Sequence, residues 1–330
     1  MKKIFALLLS AALLVTLLAA CGGGNTTDTD TDNQEPAADA STTQVEEQEP
    51  DTGDASKDDP LNQDEIGEKE LLVVSFGTSY NDSRRETIGA IEKAMQTAFP
   101  DYSVRRAFTS QIIIDHVKDR DGVTIDNVEQ ALERAVNNGV KTLVVQPTHL
   151  MNGLEYEELT DELAKYSDSF EKIAIGDPLL TSDADFEAVM TAITDATKDA
   201  ADGKTAICFM GHGTTADSNS VYSKMQTLLT DKGFNDYYVG TVEATPSLDD
   251  VLAAVQKGNY EKVILRPLMI VAGDHANNDM AGDEDDSWKS TFEKAGYTVD
   301  CQVEGLGQLE AIQQLFVEHA KAAVASAEAE

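Results

Sequence analysis

Short apolar runs alternate with helical segments from Leu71 almost to the end of the chain. The runs LLVVSFG, KTLVVQP, TAICFMG and VILRPLMIV are bounded by glycine, proline or polar residues. Helical periodicity fills the stretches between such runs, for example Asn81 to Phe99 and Ser218 to Lys232. Alternating strands and helices are typical of parallel sheets covered by helices on both faces. We therefore expect an α/β fold.

The two halves of this region also resemble each other. LLVVSFGTS and AICFMGHGTT each join an apolar run to a Gly-Thr pair. LVVQPTHLMNG and VILRPLMIVAG carry Pro and Gly at the same spacing, and both pairs of motifs occur in the same order. Such self-similarity indicates an internal duplication. It predicts two similar lobes, residues 71–202 and 203–330, with a cleft between them beyond the carboxyl ends of the strands.

The first twenty residues have the pattern of an export signal. Lys2 and Lys3 precede an apolar run from Ile4 to Ala20, as in a secretory signal peptide. The sequence Leu-Ala-Ala-Cys ending at Cys21 resembles the lipobox of bacterial lipoproteins, which implies cleavage before Cys21 and a lipid on its sulfur. A plain signal peptide and an uncut anchor are the alternatives, but the apolar run is short for a span of ~20 residues. We expect an exported protein held on the extracellular or periplasmic face of the membrane by this lipid.

Residues 21–70 read as an acidic tether. From Gly22 to Glu70 there are 16 acidic residues, two lysines and almost no large apolar residues. Such a composition buries too little surface to fold, so we expect a disordered, extended linker. The whole chain carries a net charge of −35, which argues against nucleic acid or an anionic membrane surface as partners. Contact with the membrane is then expected only through the lipid.

Other common site motifs are absent from the sequence. It contains no GxGxxG after a strand and no GxxxxGK[ST], so nucleotide binding is unsupported, and it has no GxSxG elbow. Beyond Cys21 only Cys208 and Cys301 occur. Cys208 lies in an apolar run and is expected to be buried. A disulfide between these two cysteines stays open.

Three polar residues follow predicted strands of the second lobe. His212 follows AICFMG, Glu243 follows YYVGTV and His275 follows RPLMIVAGD. Because the carboxyl ends of parallel strands share one edge, these side chains are expected to converge there. Two imidazoles and a carboxylate bind a divalent transition metal or accept protons near neutral pH. The alternative is that each residue only shapes a turn or starts a helix, although Phe76 stands where His212 stands in the duplicate.

Other candidates carry less weight. His149 ends a strand of the first lobe and Glu155 lies just beyond it, so both are expected to face the cleft and contact a ligand. Arg105 and Arg106 are notable in so acidic a chain and suit substrate carboxylates, although pairing with the protein's own acids is commoner. His116 and His319 are interpreted as structural or surface residues.

Several of these stretches together resemble one known family. LLVVSFGTSYNDS, RAFTSQIII, PTHLMNGLEYEEL, FMGHGT, VGTVEATPS and RPLMIVAGDHANNDMAGDEDDSWKS are similar to the anaerobic cobalt chelatases of the cobalamin pathway, the sirohydrochlorin cobaltochelatases of the CbiK type. The resemblance covers nearly all of Leu71 to Ala323. It implies the two-lobed fold of the class II chelatases, which need no ATP.

The resemblance also implies a reaction and its residues. The reaction is insertion of Co²⁺ into sirohydrochlorin with release of two protons, a lyase activity of porphyrin and cobalamin biosynthesis. The family's metal-site histidines and glutamate fall on His212, His275 and Glu243. His212 is favoured as the base, although His275 and Glu243 remain candidates. Fe²⁺ and Ni²⁺ suit the same ligands and stay open as the metal, as does a homo-oligomeric state.

The predicted export suggests a second possible function. Cobalamin synthesis is cytoplasmic, whereas the lipobox places this protein outside the cytoplasm. The alternative function is an exported lipoprotein that binds a metal or haem for transport on a chelatase fold. Because both functions would use the same cleft, turnover distinguishes them and metal binding does not.

Overall fold

Eight strands and ten α-helices lie within residues 51–64 and 66–329, the residues that the computed structural model describes. The strands are β1 (Lys69–Ser75), β2 (Ser103–Phe108), β3 (Thr142–Pro147), β4 (Lys172–Ile175), β5 (Thr205–Gly211), β6 (Tyr237–Thr241), β7 (Lys262–Pro267) and β8 (Thr298–Cys301). The helices are α1 (Asn81–Glu86), α2 (Ile88–Ala98), α3 (Gln111–Asp121), α4 (Val128–Asn137), α5 (Leu154–Ala164), α6 (Asp183–Thr197), α7 (Ser220–Asp231), α8 (Leu248–Val255), α9 (Trp288–Lys294) and α10 (Glu310–Ala329).

The strands form two parallel sheets of the same topology. The first has the order β2-β1-β3-β4 and the second the order β6-β5-β7-β8. Each central strand pairs in parallel with two neighbours, as β1 does with β2 and β3. The α/β fold and the duplication predicted from the sequence are therefore confirmed, because each half repeats one strand order.

Strand β1 shows why these runs form central strands. Leu71 and Val73 pack into one hydrophobic cluster, while Leu72 and Val74 pack into another on the opposite face of the sheet. A strand that is buried on both faces needs a nearly continuous apolar run. The LLVV and AICFM runs meet this requirement, so each forms an inner strand of its sheet.

One core joins the two sheets. Its largest cluster includes Val73 and Val144 of the first sheet and Phe209 of the second. Helix α10, from the end of the chain, packs against β3, β4 and α2 and so returns to the first sheet. The predicted domain boundary at residues 202/203 stays a prediction, since the last helix is shared in this way. No helix within the described part of the chain is long and apolar enough to cross a membrane.

Part of the predicted acidic tether is folded. Asp58 has a side chain only 3% exposed and forms ion pairs with Arg84 and Arg106, and Leu61 is buried. For residues 51–64 and 66–70 the expectation of disorder is wrong, because specific buried charge pairs hold a segment that composition alone would leave unfolded. The signal peptide, Cys21 and the rest of the tether up to residue 50 lie outside the described residues.

The remaining cysteines are both free. In the second sheet Cys208 pairs with Leu265, which in turn pairs with Cys301. The two cysteines therefore lie two strands apart, about 10 Å, whereas the Cα atoms of a disulfide lie within about 7 Å. The disulfide left open by the sequence does not form.

Glu70, at the start of β1, gives the fold a measurable pH dependence. Burial raises the pKa of Glu70 to about 7, against the attraction of Arg105 and Arg134. A raised pKa means that the folded state holds the proton more tightly than the unfolded state, so this residue's contribution to stability falls as pH rises from about 4.5 to about 7. Glu70→Gln should therefore stabilise the protein at pH 8 by about 1–3 kcal/mol, and the gain should shrink towards pH 5.

Urea unfolding of both proteins at pH 5 and pH 8 checks this expectation. Glu68→Gln is the matched control, because Glu68 is exposed and its partner is Lys141 at the surface. A Glu70→Gln variant that is less stable than wild type at pH 8 would contradict the account.

Candidate metal centre

The structure brings His212, Glu243 and His275 together. One ligand atom from each lies within 4.8 Å of the others. The two imidazole rings meet edge to face, with centroids 4.7 Å apart and an angle of 83° between their planes. This is the cluster that the strand-end positions predict, and the set of nitrogen and oxygen donors suits a divalent transition metal.

Two glycines fix the position of His212 after β5. A Cβ atom on Gly211 would lie 2.1 Å from the ring of Tyr222, so only glycine lets this buried ring pack against the strand. Gly213 has a φ of 89°, in the left-handed region, and a Cβ there would lie 2.9 Å from Ala244. The backbone therefore turns sharply at His212 and leaves the imidazole exposed at the sheet edge.

Backbone pairing carries Glu243 to the same edge. Beyond the ends of β5 and β6, the N–H of Val242 donates to Gly211 O at 3.0 Å and the N–H of Glu243 donates to His212 O at 2.8 Å. The parallel ladder thus continues past the strands and places Glu243 beside His212.

His275 reaches the cluster from the loop after β7. The N–H of Leu268 donates to Met210 O at 2.7 Å, which starts this loop against β5. His275 then directly precedes a π-helical turn, Ala276–Met280, a type of turn frequent at functional sites. Asn277 Nδ2 donates to Gly273 O at 2.8 Å and closes the loop around His275.

Hydrogen bonds fix the tautomer of both histidines. His212 Nδ1 lies 2.7 Å from Gly213 O, and His275 Nδ1 lies 2.8 Å from Asp279 Oδ2. A carbonyl oxygen and a carboxylate only accept, so Nδ1 carries the hydrogen in each ring. The Nε2 lone pairs are therefore free to bind a metal, in the arrangement common to metal-binding histidines. Sequence reasoning missed Asp279, which the spacing of four residues from His275 in a helical turn could have indicated.

The cluster opens onto a cavity of about 360 Å³, a size within the range of small-molecule sites. Its walls are mostly apolar and come from both lobes, with Phe76, Ile113 and Met151 from the first and Met269 and Val271 from the second. Phe76 is 50% exposed, although it is a large apolar side chain. The predicted cleft between lobes therefore exists, and His212 and His275 line it.

His149 and Glu155 line the same cavity, as the sequence predicts. Burial lowers the pKa of His149 to about 4, against the attraction of Glu155, so the imidazole is neutral at physiological pH. Both of its ring nitrogens are shielded from solvent without a hydrogen-bond partner in the protein. Glu155 lies two residues after Gly153, and His275 lies two residues after Gly273. The duplicated position therefore carries a carboxylate in the first lobe and an imidazole in the second.

Arg105 and Arg106 are not at the cavity, and their prediction as substrate-binding residues is wrong. They are adjacent in β2, so their side chains leave opposite faces of the sheet. Arg106 donates to Glu92 and Asp58 and is fully buried. Arg105 is buried near Glu70, whose charge attracts it. Arg106 therefore neutralises the protein's own acids, which is the commoner role, and Arg105 lies buried in the same strand.

The fold and the site together define a two-lobed α/β protein that presents metal ligands at the mouth of an apolar cleft. A family model described as cobalt chelatase (CbiK) matches residues 69–325. The chain therefore belongs to the CbiK cobalt chelatase family.

Two relatives match most of the chain. A sirohydrochlorin cobaltochelatase of Salmonella typhimurium is 38% identical over 251 residues, which are 76% of this chain and 94% of the relative. A sirohydrochlorin cobaltochelatase of Nitratidesulfovibrio vulgaris, CbiKC, is 30% identical over 260 residues, which are 78% of this chain and 91% of the relative.

Solved structures share the fold at lower sequence identity. SirB from Bacillus subtilis with Fe³⁺ superposes with a TM-score of 0.57 at 14% identity, covering 80% of this chain and 98% of SirB. A sirohydrochlorin chelatase SirB from Bacillus subtilis subspecies spizizenii in complex with cobalt gives 0.54 at 15% identity, with the same coverage. Both likenesses support the two-lobed chelatase fold.

The Asp279 hydrogen bond makes a prediction for metal affinity. Asp279→Asn removes the charged acceptor that orients His275 and makes its Nε2 more basic, so Co²⁺ should bind about 10- to 100-fold more weakly. Titration of the Co²⁺ absorption bands measures this. The control is Asp283→Asn. Asp283 is exposed and pairs with Lys289, so this change also removes one negative charge but leaves the Asp279 hydrogen bond in place. Equal weakening in both variants would assign the effect to general electrostatics and contradict the proposed role of Asp279.

Proposed function

We propose that this protein is a sirohydrochlorin cobaltochelatase, which inserts Co²⁺ into the tetrapyrrole sirohydrochlorin without ATP and releases two protons. The observation that carries the proposal is the cluster of His212, Glu243 and His275, with both Nε2 atoms free, at the mouth of a cleft between two lobes. The names of the Salmonella and Nitratidesulfovibrio relatives support the substrate and the metal.

The three ligands suit a metal that must be delivered as well as bound. Two neutral imidazoles and one carboxylate leave coordination positions open, which pyrrole nitrogens can occupy as they replace water. Because His212 and Glu243 are exposed at the sheet edge and His275 is half-buried, the metal is accessible from the cleft. Fe²⁺ and Ni²⁺ fit this donor set as well, so we propose Co²⁺ as the metal on the support of the relatives.

Insertion requires a base for the two pyrrole N–H groups. Co²⁺ replaces both hydrogens, so two protons leave the macrocycle for each metal that enters. His212 is the base in our proposal, because its exposed ring faces the cavity and its Nε2 carries a lone pair once the metal has left it. This nitrogen takes one proton, passes it to solvent and then takes the second. General-base catalysis by a positioned histidine contributes roughly 10²–10⁴-fold to a rate.

The apolar cavity walls suit the flat, apolar faces of a tetrapyrrole ring. Phe76 exposes half of its surface at the end of β1, at the position that His212 occupies in the second lobe. An aromatic side chain there offers a face on which a macrocycle can stack. Apolar walls also exclude water, which strengthens the attraction between the metal and its ligands.

Anaerobic turnover tests the proposal. Purified protein is mixed with sirohydrochlorin and Co²⁺, and the absorption spectrum of the tetrapyrrole is followed over several equivalents. We expect multiple turnovers that fall by roughly 10²–10⁴-fold in a His212→Ala/His275→Ala variant. His116→Ala is the matched control, because His116 is exposed outside the cavity, and it should turn over as wild type does.

Binding without insertion would overturn this function. If Co²⁺ or the tetrapyrrole binds tightly but the rate does not exceed that of the double variant, the protein is a carrier on a chelatase fold. That outcome would select the alternative drawn from the export signal.

We also propose that the chain is exported and anchored to the membrane by a lipid on Cys21. The support is the order of basic residues, apolar run and Leu-Ala-Ala-Cys sequence at the start of the chain. Cells fed a labelled fatty acid should label the wild-type protein and fail to label Cys21→Ala. Equal labelling of both proteins would reject the anchor.

A further inference from the structure

Residues 51–64, here called the N-terminal strap, precede the part of the chain that the family model matches, which begins at residue 69. The strap nevertheless packs along the first turn of helix α1. The N–H of Asp82 donates to Thr52 O at 2.9 Å, and Asn81 Nδ2 donates to Gly53 O at 3.1 Å. The strap is therefore an ordered part of the fold.

A buried charge network anchors the strap. Asp58 accepts from Arg84 Nε at 2.6 Å and from Arg106 Nη1 at 2.7 Å, and the three side chains are 3%, 0% and 1% exposed. Glu92 also binds Arg106, so two carboxylates balance two guanidinium groups. Although burial opposes it, hydrogen bonds from the two arginines hold the pKa of Asp58 below its ordinary value. Removal of Asp58 would leave buried positive charge uncompensated.

Arg84 connects this network to the cavity wall. Its Nη1 donates to the carbonyl of Thr78 at 3.1 Å, and Thr78 lines the cavity. Thr78 in turn packs on Gly273, where an added Cβ would lie 3.1 Å from Thr78 Oγ1. Gly273 precedes the metal-site residue His275 by two positions.

Helix α1 makes a second contact with the same loop. Ser83 Oγ accepts from the N–H of Ala272 at 2.9 Å, which joins the first lobe to the segment that carries His275. A helix of six residues has too few internal hydrogen bonds to set its own position. Contacts with the strap on one side and with the His275 loop on the other therefore determine where α1 lies.

We propose that the N-terminal strap, through Asp58 and Arg84, positions helix α1 and thereby the cavity wall at Thr78 and the loop that carries His275. Asp58 and Arg84 are positioning residues in this proposal, and neither contacts the metal. The proposal rests on the metal site of the proposed function, and it is independent of which tetrapyrrole is the substrate.

Two measurements on the full-length protein test the coupling. Amide hydrogen exchange is followed in peptides covering residues 76–79 and 270–276, and Co²⁺ affinity is titrated by absorption. In Asp58→Asn and Arg84→Gln we expect about 10-fold faster exchange in both peptides and about 3- to 30-fold weaker Co²⁺ binding. The double variant should bind Co²⁺ as Arg84→Gln does, because Asp58 acts through Arg84.

Asp126→Asn is the matched control. Asp126 is a buried carboxylate paired with Arg134 in the same lobe, away from the cavity, so its loss should lower Tm without changing either measurement. Gly53→Ala is a milder variant that keeps every buried charge. Its Cβ would lie 2.2 Å from Asp82 Cγ, so it should shift the strap and change both measurements in the same direction by a smaller factor.

Unchanged exchange and unchanged Co²⁺ affinity in Asp58→Asn, with Tm lowered as in Asp126→Asn, would overturn the proposal and make the strap a stabilising segment only. If wild-type protein binds no Co²⁺, the proposed metal site fails, and the exchange data alone still decide whether the strap positions the loop.

Discussion

The metal centre depends on the parallel hydrogen-bond ladder around β5. This strand pairs with β6 on one side and β7 on the other, and the ladder continues past the strand ends through Glu243 N–H to His212 O and Leu268 N–H to Met210 O. Residues that are far apart in sequence therefore end at one edge of one sheet. Rigid strands hold His212 and Glu243 closely in place, and the Asn277 hydrogen bond to Gly273 closes the loop that carries His275, which suits a site that must keep its geometry while the metal leaves. The first sheet has the same strand order, but Phe76 follows its strand β1 where His212 follows β5. The second lobe therefore gives the cavity its metal ligands, and the first lobe gives it an apolar surface.

Charge is arranged differently at the site and in the interior. At the site, a backbone carbonyl and a carboxylate accept from Nδ1 of His212 and His275, which leaves Nε2 of each ring as the atom available to a metal. In the interior, arginines are paired with carboxylates, as Arg106 is with Glu92 and Arg84 with Asp58. The chain has a net charge of −35, which attracts a divalent cation towards the protein over the range of the Debye length. The acidic chain and the Glu243 carboxylate in the ligand set thus both favour a divalent cation.

The sequence predicts much of this arrangement, for reasons that particular residues make clear. His212, Glu243 and His275 are found because each follows an apolar strand, and the ends of parallel strands meet by geometry. Asp58 is missed because its partners lie 26 and 48 residues away, and no local pattern in an acidic segment marks a buried ion pair. Arg105 and Arg106 are misassigned because the sequence gives their charge but not the acids that face them across the fold.

The predicted single helix from Asn81 to Phe99 is divided at Thr87, whose hydroxyl donates to Ser83 O within the first piece.

A crystal structure of the Co²⁺-loaded protein, with an anomalous difference map at the cobalt edge, tests the central claim most directly. The account predicts one peak about 2.1 Å from Nε2 of His212, Nε2 of His275 and a carboxylate oxygen of Glu243, at distances typical of divalent transition metals. A peak at another set of residues, or cobalt bound through Nδ1, would contradict the site and the tautomers on which the proposed function rests.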